Sequence, residues 1–229
     1  MRSLSLVRLL QLSSQALPIG GYSHSQGLEA AIEQELVSEE NSLLRWISDG
    51  LEFSMSSFEI PCLLSMSAAW AEGSPAAIAA LNDEWLSSRE SAEIRAAGVQ
   101  MGFSLRALLC NLPDVPAGTL DALHAIQEPS LPCVWSAAAV AWQIEPQEAV
   151  VGYLWTWAEN QVLVAMKAVP IGQSAGQRVL LAIGSKIAQF AAQMGSGEMR
   201  GMSGGSNFCP GLAILSSQHE TQYSRLFRS

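Results

Sequence analysis

Helical spacing of apolar residues recurs along the whole chain, and proline, glycine and serine mark where successive segments begin and end. The stretch Glu90–Leu112 shows this most clearly, because its apolar residues follow helical spacing and Pro113 comes directly after it. Gly73 and the following Ser74-Pro75 mark the end of one helix and the start of the next. Alternating strand patterns with Asn-Gly or Asp-Gly turns are almost absent. The sequence therefore predicts an all-α fold, a helical bundle of about eight to ten helices.

The length of 229 residues suits one domain, 1–229, with a sizeable core. Apolar residues make up 49% of the chain and charged residues only 14%, whereas about 25% is typical of soluble proteins. Much of the surface must then be small, uncharged or apolar. Such a surface is typical of a protein that has lasting protein partners.

The charge balance of 12 Lys+Arg against 21 Asp+Glu gives a net charge of −9, which argues against nucleic acid as a partner. The N-terminal segment has no signal-peptide pattern, and the longest nearly apolar stretch, Leu131–Trp142, is too short for the roughly 20 residues that span a bilayer. Four cysteines stand singly, without metal-binding or redox spacing: Cys62, Cys110, Cys133 and Cys209. We therefore expect a soluble cytoplasmic protein with reduced thiols and no contact with membranes.

The stretch "LPIGGYSHSQGLE", Leu17–Glu29, combines two adjacent glycines with a histidine between two serines. The glycines permit a tight turn, and Ser23 with Gln26 fits a capping box at the start of a helix. Ser174 and Gln177 fit a second capping box. Neither pattern assigns a task to the tyrosine and the histidine of the first motif.

The sequence contains no complete catalytic motif. The G-x-S-x-G pattern around Ser203 is not preceded by a strand, so a serine hydrolase is a weak hypothesis. That pattern lies in Gly195–Asn207, which is glycine-rich and is predicted to be a flexible loop. There is no phosphate-binding loop of the P-loop kind. Three carboxylates near the N-terminus are predicted to lie on the solvent-exposed face of an amphipathic helix: Glu29, Glu33 and Glu35.

The histidines His24, His124 and His219 are isolated in sequence, so no zinc pattern is present. His24 and His219 could still converge in space, and a direct nickel carrier that uses these two residues is therefore an alternative hypothesis. The simpler expectation is a protein that is not an enzyme and has no cofactor and no metal site.

Three separated segments together resemble the urease accessory protein UreF family. They are "LQLSSQALPIGGYSHSQGLE" at Leu10–Glu29, "WAENQVLVAMKAVPIGQSAGQRVL" at Trp157–Leu180 and "LSSQHETQYSRLFRS" at Leu215–Ser229. The resemblance implies a non-catalytic, all-α, dimeric protein. It further implies a scaffold that bridges UreD (also called UreH) and the GTPase UreG in the GTP-dependent complex that delivers nickel to apo-urease, and that modulates this GTPase.

The same resemblance implies which residues bind partners. Residues 216–229 would form a C-terminal docking tail, in which Arg225 is brought together with Tyr22 to shape a surface for UreG. Lys167 and Glu59 fall where the family presents charged residues to that partner. The full set of partner-binding residues implied in this way is Tyr22, Ser23, His24, Ser25, Glu29, Glu59, Lys167, Pro170, Gln173, Gln177, His219, Glu220, Gln222, Tyr223, Ser224 and Arg225.

Overall fold

The computed structural model describes residues 3–195 and 206–229. Most of the predicted loop Gly195–Asn207, including Ser203, therefore lies outside the described residues. The α-helices are α1 (Ser3–Leu12), α2 (Leu28–Glu33), α3 (Glu40–Asp49), α4 (Ile60–Glu72), α5 (Pro75–Ser87), α6 (Ala92–Cys110), α7 (Ala117–Ala125), α8 (Leu131–Ala141), α9 (Pro146–Ala168), α10 (Gln173–Gly195) and α11 (Pro210–His219). The described residues contain no strand, so the prediction of an all-α, single-domain bundle is confirmed.

A π-helical stretch, Gly50–Glu59, joins α3 to α4 without a break. The three segments make one continuous helical rod, and the described part of the chain then counts ten helices, within the predicted number. The π-helical stretch is unexpected, because its apolar spacing differs too little from that of an α-helix to be read from sequence.

The helix α9 lies at the centre of the bundle. It packs along α10 and also contacts α1, α2, α3, α4 and α8. Its inward residues recur three or four positions apart, which places them on one face: Val150, Leu154, Ala158, Val162 and Ala165. A second layer is formed by α4, α5, α6 and α8, so the core runs through the whole bundle.

The predicted helix boundaries are largely confirmed. Gly73 ends α4 with a φ of 64°, a left-handed conformation that glycine adopts without strain. Pro75 opens α5 in its first turn. The helix predicted over Glu90–Leu112 is α6, which starts at Ala92 because Ser91 accepts the backbone N–H of Ile94 at 3.2 Å.

Both predicted capping boxes are wrong. Ser23 donates its hydroxyl to the Gly20 carbonyl at 2.7 Å and so stabilises the glycine turn, whereas α2 begins only after Gly27. The helix α10 begins at Gln173, one residue before Ser174, and the carbonyl of Gly172 accepts the N–H groups of Ala175 and Gly176. Each serine pattern correctly indicates that a helix starts nearby, but the serine is not the N-cap residue of that helix.

Gly27 allows the C-terminal helix to come close to the N-terminal motif. Its φ is 86°, and a Cβ atom at this position would lie 3.0 Å from Leu212 of α11. The helix α11 packs against α2 and α6. The end of the chain is therefore brought onto the motif at residues 17–29.

None of the helices in residues 3–195 and 206–229 is long and apolar enough to cross a membrane.

Candidate partner-docking surface

The glycine turn at residues 20–23 directs the side chains of Tyr22 and His24 to different surroundings. The local sequence pattern assigns no function to either residue. Gly20 has a φ of 74°, and the following residues form a short 3₁₀ turn, Gly21–Ser23. Tyr22 projects outward and is 59% exposed, whereas His24 points inward and is 3% exposed. Of the two residues, only Tyr22 is open to a partner on this surface, and a partner contact for either residue stays a prediction.

The C-terminal tail runs back across this turn and is held there by main-chain hydrogen bonds. The N–H of Arg228 donates to the carbonyl of Ser23 at 2.8 Å, and the N–H of Gln26 donates to the Ser229 main-chain oxygen at 3.0 Å. Ser25 N–H donates to the same oxygen. The Nδ1 atom of His24 lies 2.8 Å from the Ser229 hydroxyl. Two short segments from opposite ends of the chain thus pair as one unit.

Two side chains of α9 hold the turn from beneath. Asn160 donates to the carbonyl of His24 at 2.8 Å, and Gln161 donates to the carbonyl of Ser25 at 3.1 Å. Both amides are buried. The central helix therefore fixes the surface on which the tail lies, and these two residues were missed in the sequence because they sit in an apolar helical pattern.

Glu29 is the buried acceptor for the tail. Its carboxylate accepts the backbone N–H groups of Leu226 at 2.6 Å and Phe227 at 3.0 Å, and it lies 3.0 Å from Nε2 of His219. The prediction that Glu29 belongs to a solvated face is wrong, because the tail covers it. Hydrogen bonds to a charged acceptor are stronger than neutral ones, and here one carboxylate orders two consecutive tail residues.

Glu93, at the start of α6, completes a network of four ionisable side chains, which are Glu29, Glu93, His219 and Arg225. Its carboxylate lies 2.6 Å from Nδ1 of His219 and 2.6 Å from the guanidinium of Arg225. A neutral imidazole has a single N–H donor, so both carboxylate contacts of His219 are hydrogen bonds when the ring carries two protons. In that state His219 and Arg225 balance Glu29 and Glu93, and the network has no net charge.

Glu220, just after α11, joins the tail to α6 from the other side. Its carboxylate accepts the backbone N–H of Ala92 at 2.8 Å, at the first turn of α6. A carboxylate at a helix N-terminus is favourable, because the free N–H groups there carry partial positive charge. The base of the tail is thereby fixed to the bundle.

Lys167 lies above the tail and the turn together. Its ammonium is 5.8 Å from the ring centre of Tyr22 and 5.7 Å from that of Phe227. A cation over an aromatic face at this range is attracted by the electrons of the ring. The expected pairing of Tyr22 with Arg225 is corrected: Arg225 contacts Glu93 and the His219 carbonyl, and the cation beside Tyr22 is Lys167.

The remaining implied residues are mostly exposed near these features. Pro170, Gln173 and Gln177 are exposed where α9 passes into α10, a few residues after Lys167. In the tail, Tyr223 and Ser224 are exposed, and Gln222 donates to the Ser224 carbonyl at 2.9 Å. The structure thus gives the tail an exposed outer side and a buried inner side.

Glu59 does not lie on the surface. It is 3% exposed and pairs with Arg89 at 2.6 Å, and it accepts from the Trp85 indole at 3.0 Å and the Tyr153 hydroxyl at 3.3 Å. Burial and the Glu59 charge raise the pKa of Tyr153 well above its usual value, so the phenol stays a donor. The pair borders a pocket of about 420 Å³ that is open to solvent and is also lined by the exposed side chains of Leu36 and Phe53. The implied contact of Glu59 with a partner is not supported by this position.

The surroundings of His24 and His219 leave few free donor atoms for the alternative nickel site. His219 is fully buried, and both of its ring nitrogens already contact carboxylates. His24 uses one ring nitrogen on Ser229. Within residues 3–195 and 206–229, no three His, Cys, Asp or Glu side chains are grouped so that they could hold a metal ion.

Fold and surface together define a class: an all-α helical protein whose C-terminal tail is docked across its N-terminal turn. The family model described as UreF matches residues 37–184. A urease accessory protein UreF from Dechloromonas aromatica (strain RCB) is 50% identical over 227 residues, covering 99% of this chain and 98% of that protein. Counterparts of the same name from Azoarcus sp. (strain BH72) and Methylobacillus flagellatus are 50% and 44% identical, over 99% and 100% of this chain and 96% and 99% of those proteins. The chain belongs to the urease accessory protein UreF family.

Proposed function

We propose that this chain is a non-catalytic scaffold and GTPase-regulating subunit of the complex that inserts nickel into urease. In this role it bridges UreD (UreH) and the GTPase UreG and acts on apo-urease, as a cytoplasmic homodimer. Membership of the UreF family supports an accessory role in urease maturation.

The docked tail is the observation that carries the proposal. Its inner side is held by Glu29 and Glu93, and its outer side places Tyr223 and Leu226 in solvent. Lys167 joins the tail to the exposed Tyr22, because its ammonium lies over the rings of both Tyr22 and Phe227. A surface built from the two ends of the chain exists only while the tail is docked. Such a surface suits a subunit that recruits a partner in one state and releases it in another.

A bridging protein also needs a second surface, and α1 offers one. Leu4, Val7 and Leu10 recur every third residue of this helix, and each is more than half exposed. Contiguous exposed apolar side chains usually mark a protein interface. This face supports a contact with UreD or with a second copy of the chain.

The test is reconstitution with purified partners. The full chain, or a variant that lacks residues 220–229, is co-expressed with UreD and UreG and mixed with apo-urease, Ni²⁺ and GTP. We expect the truncated variant to keep its helical circular dichroism while losing UreG recruitment and urease activation. The matched control is Arg95→Ala. This substitution removes an exposed arginine of α6 that pairs with Glu128, and it leaves the tail intact. Activation by the truncated variant at the level of the full chain would contradict the proposal.

A further inference from the structure

The side chains of Cys110 and His124 bring a thiol and an imidazole together. Neither residue belongs to the group of side chains that holds the C-terminal tail. Cys110 is the last residue of α6, and His124 lies in the last turn of α7. The Cys110 sulfur is 3.3 Å from Nε2 of His124. His124 is exposed and Cys110 is half-buried, so an ion from solvent can reach both side chains.

Arg106 holds this pair in place. It lies one turn before Cys110 on α6, and its guanidinium donates to the carbonyls of Leu123 at 3.0 Å and Ile126 at 2.8 Å. These two carbonyls flank His124 in the chain. The end of α7 is thereby fixed against α6, so the imidazole is positioned on the thiol before any ligand arrives.

The two side chains are matched to one class of ligand. Thiolate and imidazole are the donors that Zn²⁺ and Ni²⁺ favour in proteins. A tetrahedral ion with ordinary metal–sulfur and metal–nitrogen bond lengths holds its sulfur and nitrogen ligands about 3.5 Å apart. The observed separation of 3.3 Å therefore needs almost no adjustment for both atoms to bind one ion.

The surroundings favour a bound cation over a free reactive thiolate. Reactive thiolates are stabilised at helix N-termini or by nearby cations, whereas Cys110 stands at the negative, C-terminal end of α6. The charge of Arg106 is engaged by the carbonyls at the end of α7. Asp121, exposed and one turn before His124 on α7, adds negative charge on the same side of that helix.

We propose that Cys110 and His124 bind one borderline transition-metal ion, Zn²⁺ or Ni²⁺, with water in the remaining coordination positions. The Cys110 thiol releases its proton to solvent as the ion binds, so binding strengthens as the pH rises. The site goes beyond the proposed scaffold function and does not depend on tail docking.

The experiment titrates the full chain with Zn²⁺ alone and with Ni²⁺ alone in thiol-free buffer. Binding is followed by calorimetry and, for Ni²⁺, by the absorption of a nickel–thiolate bond. We expect Cys110→Ser and His124→Ala each to weaken the binding of one ion at least tenfold, and Cys110→Ser to abolish the nickel–thiolate band. Cys209→Ser is the matched control, because Cys209 is another half-buried thiol, and this variant should bind as the unaltered chain does.

Equal binding by the unaltered chain and both variants would overturn the site. So would loss of binding in Cys110→Ser with unchanged binding in His124→Ala, because the imidazole would then have no part in it. Circular dichroism of each variant checks that the helices remain. Since urease activation is not the readout, failure of this site leaves the proposed function untouched, and failure of the proposed function leaves this site untouched.

Discussion

The carboxylate of Glu29 accepts the backbone N–H of Leu226 at 2.6 Å, although 197 positions separate these residues in the chain. A carboxylate that binds consecutive N–H groups recognises the path of the backbone, while the side chains of the two residues point to different surroundings: Leu226 is exposed and Phe227 is buried. The side chain of Leu226 can therefore face solvent while its backbone N–H is held by the carboxylate. The backbone of Leu226 thus serves docking, and its side chain stays free for the partner contact that we propose.

Replacing Glu29 by Gln should release the tail without unfolding the bundle. The amide can no longer offer two charged acceptor oxygens to Leu226, Phe227 and His219, which we expect to cost about 1–3 kcal/mol of docking free energy. Hydrogen exchange at the Leu226 and Phe227 amides measures this directly, and both amides should exchange faster. Glu33→Gln, an exposed carboxylate on the same helix, is the control. Unchanged protection in Glu29→Gln would show that the carboxylate does not hold the tail.

Replacing Arg225 by Ala should have a smaller effect on the tail. The arginine side chain is 37% exposed, so its pairing with Glu93 is screened by solvent and should contribute less than about 1 kcal/mol. His219 and Glu29 remain to hold the tail. We expect hydrogen exchange of the tail amides to rise modestly in the variant. Low salt should increase the protection of these amides in the unaltered chain only, because the Arg225–Glu93 pair is then less screened. Capture of UreG in a pull-down should be clearly lost in the variant. Arg95→Ala should change neither measurement.

Acidification should loosen the tail through His24. Burial and the nearby Arg228 lower the pKa of His24 from 6.5 to about 4, and its Nε2 has no hydrogen-bond partner among the described residues. The released or unfolded chain therefore takes up a proton that the docked state resists. This contribution to stability is complete above pH 6.5 and is lost as the pH falls toward 4, by up to about 3 kcal/mol.

The measurement compares the pH dependence of tail exchange and of unfolding free energy in the unaltered chain and in His24→Asn. Carboxylates also titrate in this range, so the difference between the two proteins isolates His24. The slope between pH 6.5 and 4 should be shallower in the variant. Parallel curves would show that His24 takes no part.

The helices were predictable from sequence because their causes are local: apolar spacing, and the prolines and glycines at their ends. The resemblance of the first and last segments also indicated that both ends contribute to one surface. The role of Glu29 was not predictable, since on a short amphipathic helix a carboxylate that faces solvent and one that faces a distant tail follow the same pattern. Glu93 gave no signal at all, because its partners are Arg225 and His219, more than 120 positions away.

Removing the Glu59 carboxylate should destabilise the bundle itself. In Glu59→Ala, Arg89 stays buried between Trp85 and Phe58 without its counter-charge, and Trp85 and Tyr153 lose their acceptor. Breaking one side of a buried ion pair typically costs about 3–5 kcal/mol. Urea denaturation followed by circular dichroism should show a lower midpoint.

The matched control for that experiment is Glu40→Ala, which breaks the exposed pair with Arg178 on α10. Solvent screens this pair, so the midpoint should barely move. Glu59→Gln separates charge from hydrogen bonding, because the amide oxygen can still accept from Trp85 while Arg89 loses its counter-charge. It should fall between the other two variants. If Glu59→Ala unfolded at the same urea concentration as Glu40→Ala, the buried pair would contribute nothing to stability, and its place beside the pocket would need another explanation.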